Sequence, residues 1–248
     1  MAGAQIGNRA VAAGMSPAIT LDNVVVMRGR TRAVDAVSLA ISRGNWFGIV
    51  GANGSGKTSL LRAMAGRLGF AEGRCQVDGA EMPVRSMRAG KIGFAPPGES
   101  LPASLEVGQV LAIAAQDAVP ELGELGEVLE IEALRHRRVG ACSAGMRQRV
   151  AIAVAFARPC DIVVLDEPFN WLDPVVAYDL KRVLRNRVHS GMTIVTALHD
   201  VATLSTQCDE AVVMRDGCVA LALSGSDLAE AASAPASFEE RMVGLLRG

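Results

Sequence analysis

The segment with the most evident chemistry is a Gly-rich stretch, residues 51–58, with the letters GANGSGKT. It follows a compact apolar run, residues 46–50, and precedes a segment that we expect to be helical to about Arg67. This order of strand, loop and helix is the context that the phosphate-loop pattern GxxxxGK[ST] requires. In such a loop the backbone N–H groups converge on phosphate oxygens, and the helix N-terminus adds a partial positive charge. The sequence therefore predicts a nucleotide site here.

Two side chains of this loop have predicted roles. We expect the ammonium of Lys57 to reach the β- and γ-phosphates and the hydroxyl of Thr58 to bind Mg²⁺. Three of the 25 basic residues are Lys, and one of the three stands where the chemistry needs a compact ammonium. A chance Gly-rich turn would have no need of that lysine.

Two carboxylates, Asp166 and Glu167, follow a second apolar run, residues 162–165. A buried strand delivers Asp166 to its carboxyl end, where ligands bind in open α/β sheets. Asp166 can hold Mg²⁺ there, and Glu167 can act as the base on an attacking water. Such a strand end alone is commonplace, but beside the phosphate loop it predicts the second half of one hydrolytic site.

Alternating strands and helices must position these residues. Strands are predicted at residues 19–26, 46–50, 161–165 and 193–197, and a helix at residues 174–187. This alternation favours an α/β fold with a mainly parallel sheet. Residues from about 98 to 145 are predicted to form a helical insertion, broken at Pro120 and Gly123.

Composition excludes several classes of protein. Half of the residues are hydrophobic, which excludes disorder of the whole chain, and the net charge of −1 gives no field for nucleic acid, so we expect no nucleic-acid partner. The five Cys form no CxxC pair, which favours reduced thiols over disulfides or zinc. No apolar run approaches the roughly 20 residues that span a bilayer. Residues 1–17 are predicted to be a disordered tail, and residues 226–248 a helical one.

Three further segments resemble motifs of the ATP-binding cassette (ABC) family. Residues 142–149, with the letters CSAGMRQR, resemble the signature motif, and residues 171–173, WLD, resemble the D-loop. His199, directly after an apolar run, resembles the switch histidine. With the phosphate loop, the order and spacing of these motifs make the chain similar to ABC ATPases from about residue 19 to 222.

The resemblance implies a fold, cofactors and partners. The fold is a P-loop NTPase core in residues 18–225, with a mainly parallel sheet, an antiparallel β subdomain and the helical insertion. The cofactors are ATP and Mg²⁺, sandwiched in a head-to-tail dimer of two cassettes, with a homodimer as the expectation. Each ATP would lie on the phosphate loop of one subunit and under the signature helix of the other, where Ser143 and the N–H groups of Ala144 and Gly145 open a helix and form an anion site.

The resemblance also assigns the site residues. ATP binding is assigned to Arg28, Gly51, Asn53, Gly54, Ser55, Gly56, Lys57, Thr58, Ser59, Ser143, Gly145 and Asp173; metal binding to Thr58 and Asp166; and catalysis to Glu167 as general base and His199.

Three positions depart from the family pattern. Pro97 stands where the Q-loop glutamine is expected, and proline has no side-chain donor or acceptor; Glu99 is the nearest polar substitute. Arg28 stands where an aromatic residue usually stacks on adenine, although a guanidinium plane can also stack on a base. Ala144 replaces the first signature glycine.

The primary hypothesis is the ATPase subunit of an ABC transporter, peripheral on the cytoplasmic face of the inner (plasma) membrane and bound to a separate transmembrane permease subunit. The motifs resemble single-cassette bacterial exporters, which favours export. The alternatives are a non-transport ABC ATPase, a phosphate-loop kinase or GTPase, and a cassette that binds ATP but hydrolyses it poorly because of Pro97. Leu101, Leu105 and Val110 either receive a helix of the permease or form the core of the helical insertion.

Overall fold

The structure, a computed structural model, contains two β-sheets and describes residues 17–116 and 119–247. The predicted disordered tail lies outside the described residues, except for Pro17. The strands in chain order are β1 (Ile19–Arg28), β2 (Thr31–Ile41), β3 (Trp46–Gly51), β4 (Glu72–Val77), β5 (Ala80–Glu81), β6 (Ile92–Phe94), β7 (Ile162–Asp166), β8 (Thr193–Leu198), β9 (Glu210–Arg215) and β10 (Cys218–Leu223). The helices are α1 (Lys57–Met64), α2 (Arg85–Lys91), α3 (Val107–Ala114), α4 (Glu124–Val128), α5 (Ile131–Leu134), α6 (Ala144–Ala155), α7 (Pro174–His189), α8 (Val201–Gln207), α9 (Gly225–Ser233) and α10 (Pro235–Arg247).

The larger sheet has the strand order β10-β9-β3-β8-β7-β6. Its strands run parallel except for the edge strand β10, which pairs with β9 antiparallel. All residues of β3 and β8 are buried, because helices and the second sheet cover both faces; this explains the near-continuous apolar sequence of β3 and of β8, in which only Thr193 and Thr196 are polar. The predicted mainly parallel sheet is confirmed.

The smaller sheet is antiparallel, with the order β2-β1-β4-β5, which confirms the predicted antiparallel β subdomain. It shares a hydrophobic core with α1 and one face of the larger sheet. Alternation along β3 separates the two cores: Phe47 and Ile49 point to this side, and Trp46 and Val50 to the other.

The carboxyl ends of three adjacent strands meet at one edge of the larger sheet. Gly51 ends β3, Leu198 ends β8 and Asp166 ends β7, and these strands are neighbours in the order β3-β8-β7. Parallel strands present the loops that follow them on the same edge. The fold therefore gathers the phosphate loop, the Asp166 segment and the His199 segment in one place.

The stretch predicted to be a helical insertion contains α3, α4 and α5, and leads into α6. Leu101 and Val110 are 7% and 6% exposed, and Leu105 packs against the same core cluster. These three residues therefore pack into the core, which favours the second of the two interpretations, and contact with a permease stays a prediction. The division of the chain into domains at residues 18, 98, 145 and 226 stays a prediction.

The chain ends in α9 and α10, which pack together and against α8. Their buried side chains, Leu228, Ala231, Phe238 and Met242, join the core on the helical side of the larger sheet. None of the helices in the described part of the chain is both long and apolar enough to span a bilayer.

Candidate active site

The phosphate loop is closed onto the antiparallel sheet at Gly56. This residue caps the N-terminus of α1 with φ 101°, a left-handed conformation, and a Cβ at this position would lie 2.2 Å from the carbonyl oxygen of Ala33 in β2. Within the loop, the N–H of Ser55 donates to Ala52 O at 3.1 Å. A glycine is thus required by both the backbone conformation and the packing.

Lys57 begins α1, and its side chain folds back over the loop. Its Nζ donates to Gly51 O at 2.7 Å and to Ala52 O at 3.1 Å, and only 5% of the residue is exposed. Burial lowers the pKa of Lys57, while the charges of Glu167 and Asp166 raise it. An ammonium has three donors, so one remains for a phosphate oxygen.

Ser55 supplies a test of whether the loop fits a nucleotide. It is 5% exposed, and its Oγ is the one buried side-chain oxygen among the described residues that has no hydrogen-bond partner. Leaving a buried hydroxyl unpaired costs about 1–3 kcal/mol. A phosphate group at the loop would add polar partners of the kind that this buried oxygen lacks, so the residues present fit the nucleotide.

The two predicted metal ligands lie side by side. Thr58 Oγ1 donates to Asp166 Oδ1 at 3.2 Å, from the first turn of α1 to the end of β7. Burial raises the pKa of Asp166, and the hydroxyl of Thr58 and the cations Arg62 and Lys57 lower it. Hydroxyl and carboxylate oxygens suit Mg²⁺, which usually takes one or two protein ligands together with substrate phosphates and water. No cluster of three or more His, Cys, Asp or Glu side chains that could hold a metal ion occurs within the described ranges.

Glu167 and His199 are in direct contact across the ends of β7 and β8. His199 Nε2 lies 2.5 Å from Glu167 Oε1, and the other carboxylate oxygen, Oε2, accepts a hydrogen bond from Asn170 Nδ2 at 2.8 Å. Glu167 adopts φ 51°, a left-handed backbone conformation that is uncommon for a residue other than glycine. The fold thus brings the two residues predicted to be catalytic within ion-pair distance of each other, beside the two predicted metal ligands.

Several of these residues line one cleft of about 360 Å³. Its lining includes Thr58, Arg62, Pro97, Glu99, Ala144, Arg147, Asp166, Glu167 and Trp171. Pro97 therefore lies at the site, where its ring offers no polar atom, and Glu99 lies at the same cleft on an exposed short turn.

The signature segment opens α6 as predicted. The Oγ of Ser143 caps the helix by accepting from Met146 N at 3.2 Å. A Cβ on Gly145 would lie 2.6 Å from the carbonyl oxygen of Trp171, so the start of α6 packs closely against the D-loop. Ser143 and Gly145 thus have local structural roles, and their role in ATP binding stays a prediction.

Asp173 and Arg28 lie outside this cluster. The carboxylate of Asp173 caps α7 by accepting from Val176 N at 3.0 Å and also accepts from Arg149 at 3.0 Å. The pKa of Asp173 is lowered by the Val176 N–H group and by Arg149. Arg28 is exposed at the end of β1. The ATP-binding roles of both residues stay predictions, as do those of Asn53, Gly54 and Ser59 on the phosphate loop and α1.

Sequence reasoning missed two side chains that hold the Glu167 segment. Asn170 bonds the Glu167 carboxylate, and Gln148 Nε2 lies 3.4 Å from Glu167 O and 3.3 Å from Pro168 O. Asn170 is three residues after Glu167, a spacing that places a side-chain amide back over the start of a turn. No local signal could have paired Gln148 with this segment, because the contact joins α6 to the end of β7.

Comparison with known proteins places the chain in a family. A family model described as ABC transporter matches residues 34–170, more than half of the chain. The uncharacterized ABC transporter ATP-binding protein YhaQ of Bacillus subtilis is 31% identical over 206 residues, covering 80% of this chain and 68% of YhaQ.

Relatives with named activities are equally similar. Nod factor export ATP-binding protein I of Ralstonia nicotianae is 29% identical, covering 82% of this chain and 66% of that protein. The sulfate/thiosulfate import ATP-binding protein CysA of Vibrio cholerae is 32% identical, covering 80% of this chain and 56% of that protein. The match to this chain therefore spans about half to two thirds of these longer relatives.

The fold agrees with solved cassettes. A dimeric structure of the ATP-binding cassette MJ0796, in a post-hydrolysis state bound to ADP and Pi, superimposes with a TM-score of 0.75 at 23% identity, covering 84% of this chain and 98% of that one. At this identity the likeness establishes the fold. Together with the family match and the phosphate-loop geometry, these findings establish that the chain belongs to the ABC transporter family, as one of its ATP-binding subunits.

Proposed function

We propose that this chain hydrolyses Mg-ATP with Glu167 as the general base, and that two cassettes dimerise head-to-tail around two nucleotides to drive a separate membrane subunit. The observation that carries the proposal is the meeting of two pairs at one sheet edge: Thr58 with Asp166 at 3.2 Å, and Glu167 with His199 at 2.5 Å. One pair suits a metal and the other suits proton transfer, and both adjoin the phosphate loop.

The residues divide the chemistry between them. Mg²⁺, held by Thr58 and Asp166, would neutralise charge on the phosphates. Lys57 holds the phosphates, and the carboxylate of Glu167 takes a proton from the attacking water. His199 fixes Oε1 of Glu167, and Asn170 fixes Oε2, so the base is oriented before the water arrives.

Two features support the dimer. The N-terminus of α6 is exposed at Ser143 and Ala144, so its backbone N–H groups are accessible to an anion from another molecule. Trp171, in the D-loop, is 76% exposed although it is a large aromatic residue. The similar cassette MJ0796 is described as dimeric with ADP and Pi bound, which is in keeping with the proposal.

Size-exclusion chromatography with light scattering tests the dimer. With Mg-ATP, the Glu167→Gln protein should run as a dimer, because ATP remains uncleaved at the interface; with Mg²⁺ alone it should run as a monomer. The double variant Glu167→Gln/Ser143→Arg places a bulky cation at the opening of α6 and should stay monomeric. A Glu167→Gln protein that is monomeric at every Mg-ATP concentration would refute the sandwich dimer.

Transport and its direction are proposals drawn from the family. Relatives named for export and for import resemble this chain to a similar degree, so they favour neither direction. The resemblance of the signature segment and of residues 172–174 to single-cassette exporters remains the ground for export. The membrane permease, and with it a position on the cytoplasmic face of the inner membrane, follows from the same family reasoning.

A second candidate function is ATP binding with slow hydrolysis, and Pro97 at the cleft is the observation that favours it. The missing amide would slow or uncouple turnover while binding and dimer closure persist. Pro97→Gln should then raise ATP turnover in the assembled complex. An unchanged rate would show that Pro97 imposes no such restriction.

A further inference from the structure

Lys181, on α7, makes two contacts outside the nucleotide site. Its Nζ donates to Thr203 Oγ1 at 2.7 Å and lies 5.0 Å from the centre of the Phe169 ring. The lysine is half-buried, and Thr203, on α8, is 3% exposed. One ammonium therefore joins the segment after β7 to the helix after β8.

Both contacts lead back to the catalytic pair along short paths. Phe169 follows Glu167 by two residues. The hydroxyl of Thr203 donates in a short hydrogen bond to Oδ2 of Asp200, which directly follows His199. Because His199 and Glu167 are themselves in contact, the contacts form a closed ring.

The Asp200 side of the ring is held by several groups. Its carboxylate caps α8 by accepting from Ala202 N at 2.9 Å and from Thr203 N at 3.1 Å. Burial raises the pKa of Asp200, but the bonds from Thr203 and Ala202 and the charge of Lys181 outweigh it, and the pKa is lowered. The Asp200 carboxylate is thus stabilised as an anion by these hydrogen bonds and by the charge of Lys181.

The Phe169 side is held by the core. The Phe169 ring lies 6.4 Å from that of Trp46, at the start of β3, and packs against the main hydrophobic cluster. Lys181 covers it from α7, where a cation lying near an aromatic ring is attracted to its π system. Displacing the ammonium would leave the residues after Glu167 without this lateral support.

We infer that Lys181 is a positioning residue that keeps Glu167 and His199 in contact by tying together the segments that follow them. The inference rests on the proposed function, because it concerns the same pair. Lys181 touches neither member of the pair and acts through Phe169 on one side and through Thr203 and Asp200 on the other. A lysine that only stabilised α7 would leave the geometry of the pair unchanged.

Steady-state ATP turnover of Lys181→Met is the first test. This variant keeps the length of the side chain and removes the ammonium, and kcat should fall about fivefold, the rate equivalent of one net hydrogen bond. KM for ATP should stay at the wild-type value, because the phosphate loop is not involved. Lys181→Arg should restore most of kcat. The control Lys91→Met makes the same chemical change at an exposed lysine on α2 and should leave kcat unchanged.

The second test needs no nucleotide. The chain has three histidines, so the ring signals of His199 can be assigned in a ¹H–¹³C spectrum by comparison with His199→Gln. In Lys181→Met at fixed pH, the His199 signals should shift or broaden, while the signals of the other two histidines stay as in wild type. The control Lys91→Met should keep the wild-type melting profile. Thr203→Val should give the same change, and the double variant should add nothing to it.

The outcomes separate this inference from the proposed function. Unchanged His199 signals in Lys181→Met, with kcat equal to wild type, would overturn the positioning role while leaving Glu167 as the base. If the Glu167→Gln protein hydrolysed ATP at the wild-type rate, the proposed function would fail. The His199 spectrum would then still decide whether Lys181 holds the pair together.

Discussion

Replacing Gly56 by Ala tests how the phosphate loop is held against the antiparallel sheet. Gly56 has φ 101°, and an added Cβ would lie 2.2 Å from Ala33 O and 3.4 Å from the Cα of Gly217. The carbonyl of Ala33 belongs to the backbone of β2, so it cannot rotate away as a side chain would. Either β2 or the loop must move.

The size of the effect follows from two terms. A left-handed backbone costs a non-glycine residue about 1–2 kcal/mol. Forcing extra volume into a packed region adds about 1–3 kcal/mol. The expected loss is therefore about 2–5 kcal/mol, and at about 2–4 °C per kcal/mol the melting temperature should fall by about 4–20 °C.

Gly79→Ala is the matched control. Gly79 has φ 76°, but an added Cβ there would meet nothing within 4 Å. Only the backbone term applies, so the melting temperature should fall by about 2–8 °C. Thermal melts of wild type and both variants, with and without Mg-ATP, measure the difference. Gly79→Ala should keep the full nucleotide-dependent rise in melting temperature, and Gly56→Ala should lose most of it.

One result would refute this reasoning. If Gly56→Ala melted no lower than Gly79→Ala and kept the full rise with Mg-ATP, the contact with Ala33 would not constrain the loop.

Three further predictions concern the rest of the fold. Trp46→Phe removes the buried hydrogen bond from Trp46 Nε1 to Thr196 Oγ1, 2.9 Å long, and urea denaturation should show that the free energy of unfolding falls by about 1–3 kcal/mol. Adding Thr196→Val should recover part of that loss. If the effects of the two substitutions were simply additive, the pairing would be contradicted. Asp200→Asn should lower the melting temperature at pH 7. Since the pKa of Asp200 is lowered in the folded state, its carboxylate contributes its full stabilisation above the unfolded pKa of about 3.9 and loses it as the pH falls below that value. The difference in melting temperature between Asp200→Asn and wild type should therefore shrink at low pH. A difference that does not change with pH would contradict this stabilising role. In the native protein a thiol reagent should react first with exposed Cys218, whereas burial raises the pKa of Cys75 to about 11 and protects it; a fast phase that survives Cys218→Ser would be the contrary result.

The fold class could be predicted because its signals are local. The apolar runs that became β3 and β7 are buried on both faces, so each reads as a nearly continuous apolar strand, and β8 does so apart from Thr193 and Thr196. The phosphate-loop pattern fixed the start of α1, and Ser143 lies at the start of α6, the helix that it was expected to open. Element order then sufficed to place these ends on one edge.

The parts of the fold and of the site that could not be predicted depend mostly on contacts between residues far apart in the sequence. β5 has two residues, both exposed, and β4 buries only Cys75 and Val77 after a start that is exposed and charged, so neither strand has an alternating pattern long enough to mark it. The helix α8 has a usable signal in hindsight, because Asp200 is an N-cap residue directly before it. The contact of Lys181 with Thr203 joins residues 22 positions apart on different helices, and only the folded chain shows it.

ATP turnover by Glu167→Gln tests the central claim most directly. The same change at an exposed carboxylate of α4, Glu127→Gln, is its matched control. Wild type and Glu127→Gln should hydrolyse Mg-ATP at the same rate, and Glu167→Gln should be slower by about 100-fold or more, the contribution of a general base. All three proteins should bind Mg-ATP with similar affinity. A Glu167→Gln protein that turned ATP over at the wild-type rate would contradict the assignment of Glu167 as the base and, with it, the proposed mechanism.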